Sequence, residues 1–203
     1  MQQKPAITQV KINDIIEARW SPRAFDPNKQ VSHDDLLALL EAAHWAPSCF
    51  NDQPWRFLVC NKATDEIGWQ NALAILFEKN RRWAKNAPVL ILAVAMENFN
   101  HNGQPNRWAS YDTGAASVSL SLQATAMGMS VHQMGGFDAD KASEVFNLPS
   151  DCKPMSMMAL GYQAKVEVLD EDFKEAELAA RSRALLNERF YMGQWGRGME
   201  LNG

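Results

Sequence analysis

A chain of 203 residues, 46% hydrophobic and 22% charged, is long enough to bury a sizeable core and too apolar for disorder. Its net charge of −4 leaves no global basic field for nucleic acid or an anionic membrane, so any anion site must be built locally from a few arginines. Three cysteines (Cys49, Cys60, Cys152), odd in number and without a Cys-x-x-Cys, argue against a disulfide framework, and four histidines (His33, His44, His101, His132) lack paired metal-ligand spacing.

The opening Met-Gln-Gln-Lys-Pro has no apolar signal core, and the longest apolar run, Val89 to Met96, is far too short to cross a bilayer. The expectation is a soluble cytoplasmic protein. Ile12, Ile15 and Ile16 stand at helical spacing within Lys11 to Arg19, with Asn13 as a possible cap. This short helix delivers Arg19-Trp20-Ser21-Pro22-Arg23 into a turn at Asp26-Pro27-Asn28. Two arginines around a serine could hold a phosphate through charge-assisted hydrogen bonds, but taken alone they favour a solvated basic cluster near a helix C-terminus.

Ser32 caps the next predicted helix, with Asp34 and Asp35 in its first turn and a stripe of Leu36, Leu37, Leu39, Leu40 and Ala43. Pro47 stops it, because proline disfavours helix at Ala46 and has no N–H. The loop Pro47-Ser48-Cys49-Phe50-Asn51-Asp52-Gln53-Pro54-Trp55 then enters a buried strand at Phe57 to Cys60. Its polar side chains serve either their own backbone or a small molecule. Asp65 to Lys79 reads as one helix with Ile67, Ala72, Ile75 and Leu76 inward, followed by a polar segment from Asn80 to Pro88. Val89 to Met96 shows no alternation, so both faces of this strand should be covered.

Glu97 to Arg107, rich in Asn, Gly and Pro, reads as a mobile loop. Trp108 to Met127 is the longest helical pattern, and its small residues fit either a central core helix or a dimer interface. Gly128 is a plausible C′ cap, and a short strand follows at Ser130 to Met134. Gly135-Gly136 allows close approach of a flat ligand to the main chain. Asp138 or Asp140 caps a helix to Phe146, and Met155 to Gly161 is another buried strand. From Asp170 the chain turns charged and helical, then reaches Arg181-Ser182-Arg183 and an aromatic tail. No repeat or linker divides the chain, so a single domain over 1–203 is expected. Neither a dinucleotide-binding glycine fingerprint nor a P-loop is present.

Taken in order, five segments resemble the nitroreductase family. They are Arg-x-Ser-x-Arg after the first helix, Pro-Ser-x-x-Asn-x-Gln-Pro-Trp after the second, Asn80…Trp83-Ala84…Ala87-Pro88, Gly-Gly-Phe-Asp, and the terminal Arg-x-Arg. The resemblance implies an α+β fold: a three-layer α/β/α sandwich with a central mixed sheet, in an intertwined homodimer whose partner's C-terminal segment extends the sheet. It also implies two FMN molecules at the interface, with NADH or NADPH as electron donor. On that resemblance Arg19, Ser21 and Arg23 would hold the FMN phosphate and ribityl chain, the Trp20 backbone would lie near the ring, and Arg181 and Arg183 would complete the clamp. Pro47, Ser48, Cys49 and Asn51 would reach the flavin from the other subunit, and Gln133, Met134, Gly135 and Gly136 would line the ring's other side. Asn80 matches an asparagine near the pyrimidine edge.

Three positions depart from the family pattern. Many relatives have serine at position 49, an acidic residue at 135 and lysine at 181. The implied activity is hydride transfer from NAD(P)H and reduction of a nitroaromatic, quinone or similar acceptor in a ping-pong cycle, with no side chain as general acid or base. The alternatives are a flavin-binding storage or sensor protein without turnover, a cysteine hydrolase built on Cys49 with His44 or His132, and a ligand-free dimeric module.

Overall fold

The computed structural model describes residues 3–200. Helix α1 is Asp14–Ala18, and the Asn13 side chain caps it by accepting from Ile15 N. Helix α2, His33–His44, starts where Ser32 accepts from Asp35 N and ends before Pro47. Strand β1 is Trp55–Asn61, and α3 is Glu66–Ala74. Helix α4 is Glu78–Ala84, β2 is Val89–Met96 and α5 is Ala109–Ala126. Strand β3 is Ser130–Met134, α6 is Ala139–Val145, β4 is Cys152–Gly161 and α7 is Glu171–Leu178. Asp138, not Asp140, caps α6, accepting from Lys141 N. No helix among the described residues is long and apolar enough to cross a membrane.

The sheet runs β1-β2-β4-β3. The α+β class and the sandwich hold, but the sheet expected to be mixed is antiparallel at every strand pairing among the described residues. Pro154, which has no N–H to give a ladder, sits in β4 at a register shift opposite Ala93 and Val94. Period-2 alternation on β2 divides the core. Leu90, Leu92 and Val94 pack with Trp69, Ile75, Trp83, Ala142, Met157 and Phe173 on one face, beneath α3, α4, α6 and α7. Val89, Ile91 and Ala93 pack with Leu36, Leu39, Ala116, Leu120 and Ala124 on the other, beneath α2 and α5. With both faces covered, the unbroken apolar run of β2 is explained.

One stripe of helix α5 is core, the first of the two roles its small residues allow, and the opposite side exposes Tyr111 and Val118, with Trp108 exposed just before the helix. Two of its buried hydroxyls turn back on their own helix, while the buried Thr113 Oγ1 has no partner among the described residues. Ser117 Oγ donates to Thr113 O at 2.7 Å and Ser121 Oγ to Ser117 O at 2.8 Å.

Two elements differ from expectation. The single helix expected from Asp65 to Lys79 breaks, because the chain leaves α3 to meet a distant segment. Asp138 N donates to Ile75 O at 2.9 Å and Phe77 N to Gly136 O at 3.1 Å, after which α4 begins. Ile67 is exposed rather than inward, and Trp69 fills the core in its stead. The 97–107 loop expected to be mobile is fastened. The buried Asp52 side chain accepts from Asn100 N at 2.8 Å and Asn106 Nδ2 at 3.3 Å.

Candidate functional site

The loop after α1 is anchored where Phe25 enters the core. Asp26 N donates to Tyr162 O at 2.8 Å and Ala164 N to Ala24 O at 2.9 Å, just past the end of β4. Phe25 is fully buried, and a Cβ on Gly161 would lie 2.6 Å from Pro88 Cδ and 3.3 Å from Phe25 Cδ1, so only glycine lets these segments close. His132 on β3 pins the same loop: its Nδ1–H donates to Pro22 O at 2.9 Å, and the Trp83 ring lies against it at 4.5 Å. Burial lowers the His132 pKa to about 4, with Arg23 nearby acting in the same direction and the Pro22 bond opposing. The imidazole is therefore neutral at pH 7.

Around this loop the cations gather. Arg19 Nη1 donates to Ser21 Oγ at 3.4 Å. Arg181 Nη1 donates to the carbonyls of Lys4 and Glu17, both at 2.7 Å, and fastens the N-terminal segment to α1. Burial lowers the Arg19 pKa, and the Arg183 guanidinium adds to it. Burial, then Arg19, then Arg183 do the same to Arg181. Lys4 is lowered by burial, against Glu177 and with Arg181 and Arg23. Among the described residues Arg19, Arg23, Arg181 and Arg183 form no ion pair with a carboxylate. Such crowding of unpaired guanidinium groups favours an anion.

Two residues beyond His132, β3 ends at Met134, and the glycine pair follows. Gly136 is a close-approach position: a Cβ there would lie 2.6 Å from Asn80 Nδ2, which donates to Gly136 O at 3.0 Å. At Gly135 the space a Cβ would take has no neighbour within 4 Å, so a flat group can reach the main chain. Gln133 lies along α5, its amide donating to Ser121 Oγ at 3.3 Å. Met134, the last residue of β3, is buried in the core and pairs with Met157 of β4.

The Pro47–Asn51 turn is strained. Phe50, Asn51 and Gln53 have φ of 55°, 54° and 52°, a region that side chains rarely adopt. Side chains help to hold it: Asp112 on α5, itself buried, accepts from Cys49 N at 3.0 Å, and Ser48 Oγ accepts from Gln53 N at 3.0 Å. Pro47 and Asn51 are exposed, while Ser48 and Cys49 are half-buried.

A model described as the nitroreductase family matches residues 16–162. The chain belongs to the nitroreductase family. A crystal structure of an oxidoreductase containing FMN is 33% identical, with a TM-score of 0.87 over 94% of this chain and 96% of that one. Protein DrgA of Synechocystis sp. is 32% identical over 173 residues, which is 73% of this chain and 82% of DrgA. YdgI of Bacillus subtilis, provisionally named an NAD(P)H nitroreductase, is 27% identical over 194 residues, 76% of this chain and 91% of YdgI.

Set against that family pattern, the fold brings Arg19, Trp20, Ser21, Arg23, Arg181 and Arg183 into one neighbourhood, and the His132–Pro22 bond joins it to Gln133–Gly136 and Asn80. It does not bring Pro47–Asn51 there. That turn feeds β1, whereas the glycine pair follows β3, and the two strands are opposite edges of the sheet. Three inter-strand spacings separate them, about 14 Å. Sequence reasoning passed over Asp112, Glu177 and Lys4. Asp112 carried a signal, as a lone acid within an otherwise small and apolar helical stripe, while Glu177 looked like any charge on an acidic helix.

Proposed function

We propose that this nitroreductase-family chain is an FMN-dependent NAD(P)H oxidoreductase acting as a homodimer, each copy a single domain. The observation that carries this reading is the group of unpaired arginines joined through His132 to a segment whose main chain is open at Gly135. Arg19, Ser21, Arg23, Arg181 and Arg183 would hold the phosphate and ribityl chain. The Trp20 backbone, Gln133, Met134, Gly135 and Gly136 would lie against the ring, with Asn80 at its pyrimidine edge. Pro47, Ser48, Cys49 and Asn51 of a second copy would close the other side. The placement of that turn at the far edge of the sheet supports a site built from two chains.

When bound, FMN supplies the redox chemistry, taking hydride from NADH or NADPH and passing electrons to a nitroaromatic, quinone or similar acceptor in a ping-pong cycle. The chain's own residues bind and orient. Arginines supply charge and directed N–H groups, the glycine pair offers main chain without side chains, and the neutral His132 holds the loop without adding charge. The missing nucleotide-binding fingerprint fits a donor that stacks only transiently.

The test is the visible spectrum of the purified protein, repeated anaerobically with NADH or NADPH. Flavin absorption that bleaches and returns with a nitroaromatic or quinone is the expected result. Bound flavin that never bleaches points to storage or sensing, and a protein that takes up no FMN overturns the proposal.

A further inference from the structure

Helix α7 carries Glu177 one turn beyond Phe173, so both face inward. Glu177 is 1% exposed, and a carboxylate so enclosed must be fully hydrogen-bonded. Its partners are main chain. Arg23 N donates to both carboxylate oxygens at 3.1 and 2.9 Å, and Ala24 N to Oε1 at 3.2 Å. Its own carbonyl accepts from Lys4 Nζ at 2.7 Å, and that ammonium lies 4.4 Å from the Trp20 ring centroid. The carboxylate thus sits behind the loop that presents Ser21 and Arg23, beside Lys4 and Arg23 and on the segment that leads to Arg181 and Arg183.

We propose that Glu177 is the positioning residue of the phosphate seat: it fixes the Arg23–Ala24 main chain and the Lys4 ammonium, and so sets where the arginines meet a phosphate monoester. The inference rests on the phosphate assignment made under Proposed function. Glu177 does not itself touch the ligand. Two physical effects oppose each other here, which makes the sign of the outcome informative. As a bare negative charge, Glu177 repels phosphate, and neutralising it would tighten binding. As the fastener of two N–H groups, it organises the seat. In Glu177→Gln one amide oxygen still accepts, but the NH2 group confronts an N–H donor and the loop loses its hold.

The experiment is equilibrium dialysis of the full chain against graded FMN and, separately, riboflavin, which lacks the phosphate. For Glu177→Gln the FMN Kd should rise about tenfold or more while the riboflavin Kd stays within about twofold. Glu177→Asp, which keeps the charge with one methylene less reach, should fall between wild type and Gln. It also decides the matter if the Gln variant does not fold. Unchanged or tighter FMN binding overturns the role. Equal weakening of both flavins also overturns it, since that reports a general loss of structure. A wild type with no preference for FMN over riboflavin overturns the phosphate seat itself, and the role of Glu177 with it. A wild-type preference with an indifferent Gln variant overturns the role alone.

Discussion

Arg181 and Arg183 stand two residues apart and share the same cationic neighbourhood, yet their removal should have different consequences. Arg183 is exposed, its Nη1 spending one donor on the adjacent Ser182 carbonyl at 2.8 Å, and its charge adds to the crowding of Arg19 and Arg181. Replacing it by alanine removes no buried contact, so the flavin-free protein should change by no more than about 0.5 kcal/mol, with relief of repulsion acting as the favourable part. In the flavin complex a charge-assisted bond to phosphate is lost, about 1.5–3 kcal/mol, which is a rise of about 10- to 150-fold in the FMN Kd. Arg181→Ala instead strips the Lys4 and Glu17 carbonyls of their shared donor. That should cost about 1–3 kcal/mol in the flavin-free protein as well, lowering its Tm by several degrees, at roughly 2–4 °C per kcal/mol for a chain of this size. Fluorescence titration with FMN and thermal unfolding of the flavin-free protein read the two quantities. Arg183→Ala with unaltered FMN affinity, or with a destabilised flavin-free state, would refute the reasoning. The double variant Arg23→Ala with Arg183→Ala should purify with little flavin, and full flavin content would remove the phosphate assignment.

His132 gives a pH dependence of defined sign. Its folded pKa of about 4 lies below the ordinary 6.5, so its contribution is complete above pH 6.5 and is lost as the pH falls towards 4. The loss amounts to about 3 kcal/mol, and urea unfolding across that window should be flatter in His132→Gln; parallel profiles would contradict the assignment. Asp112→Ala leaves the Cys49 N–H without its acceptor and should cost about 1–3 kcal/mol, read by urea unfolding, with Asp112→Asn retaining most of the stability. Gly161→Ala drives a Cβ into the Pro88 ring and should destabilise by about 1–3 kcal/mol, whereas a Tm within a degree of wild type would show that the segments separate easily.

Local chemistry made the regular elements readable. Ser32, Asn13 and Gly128 mark helix ends through their own side chains or backbone freedom, and β2 and β3 have the bounds that their apolar pattern gives. What the sequence hid depends on partners far along the chain. The break between α3 and α4 is made by hydrogen bonds to Gly136 and Asp138, and no residue at the break announces it. Glu177 and Asp112 are informative only once Arg23 and Cys49 are seen beside them. The positive φ of Asn51 suits an asparagine, but nothing local requires it of Phe50. The candidate residues were legible as a set through their order in the chain. Their division into two groups was implied by the resemblance, but the strand order that puts the groups at opposite sheet edges was not legible, because it is fixed by pairing rather than by sequence neighbours.

That division has a consequence for mixtures of variants. Each dimer would hold two composite seats, and each seat would draw its arginines from one copy and its strained turn from the other. A variant damaged only at Arg23 and Arg183, and one damaged only at Asn51, would each be defective as homodimers. Refolded together, half of the random pairs would combine the two lesions into one seat and leave the other seat whole. Flavin capacity would then reappear from two inactive parents, at about a quarter of the wild-type level by simple pairing statistics.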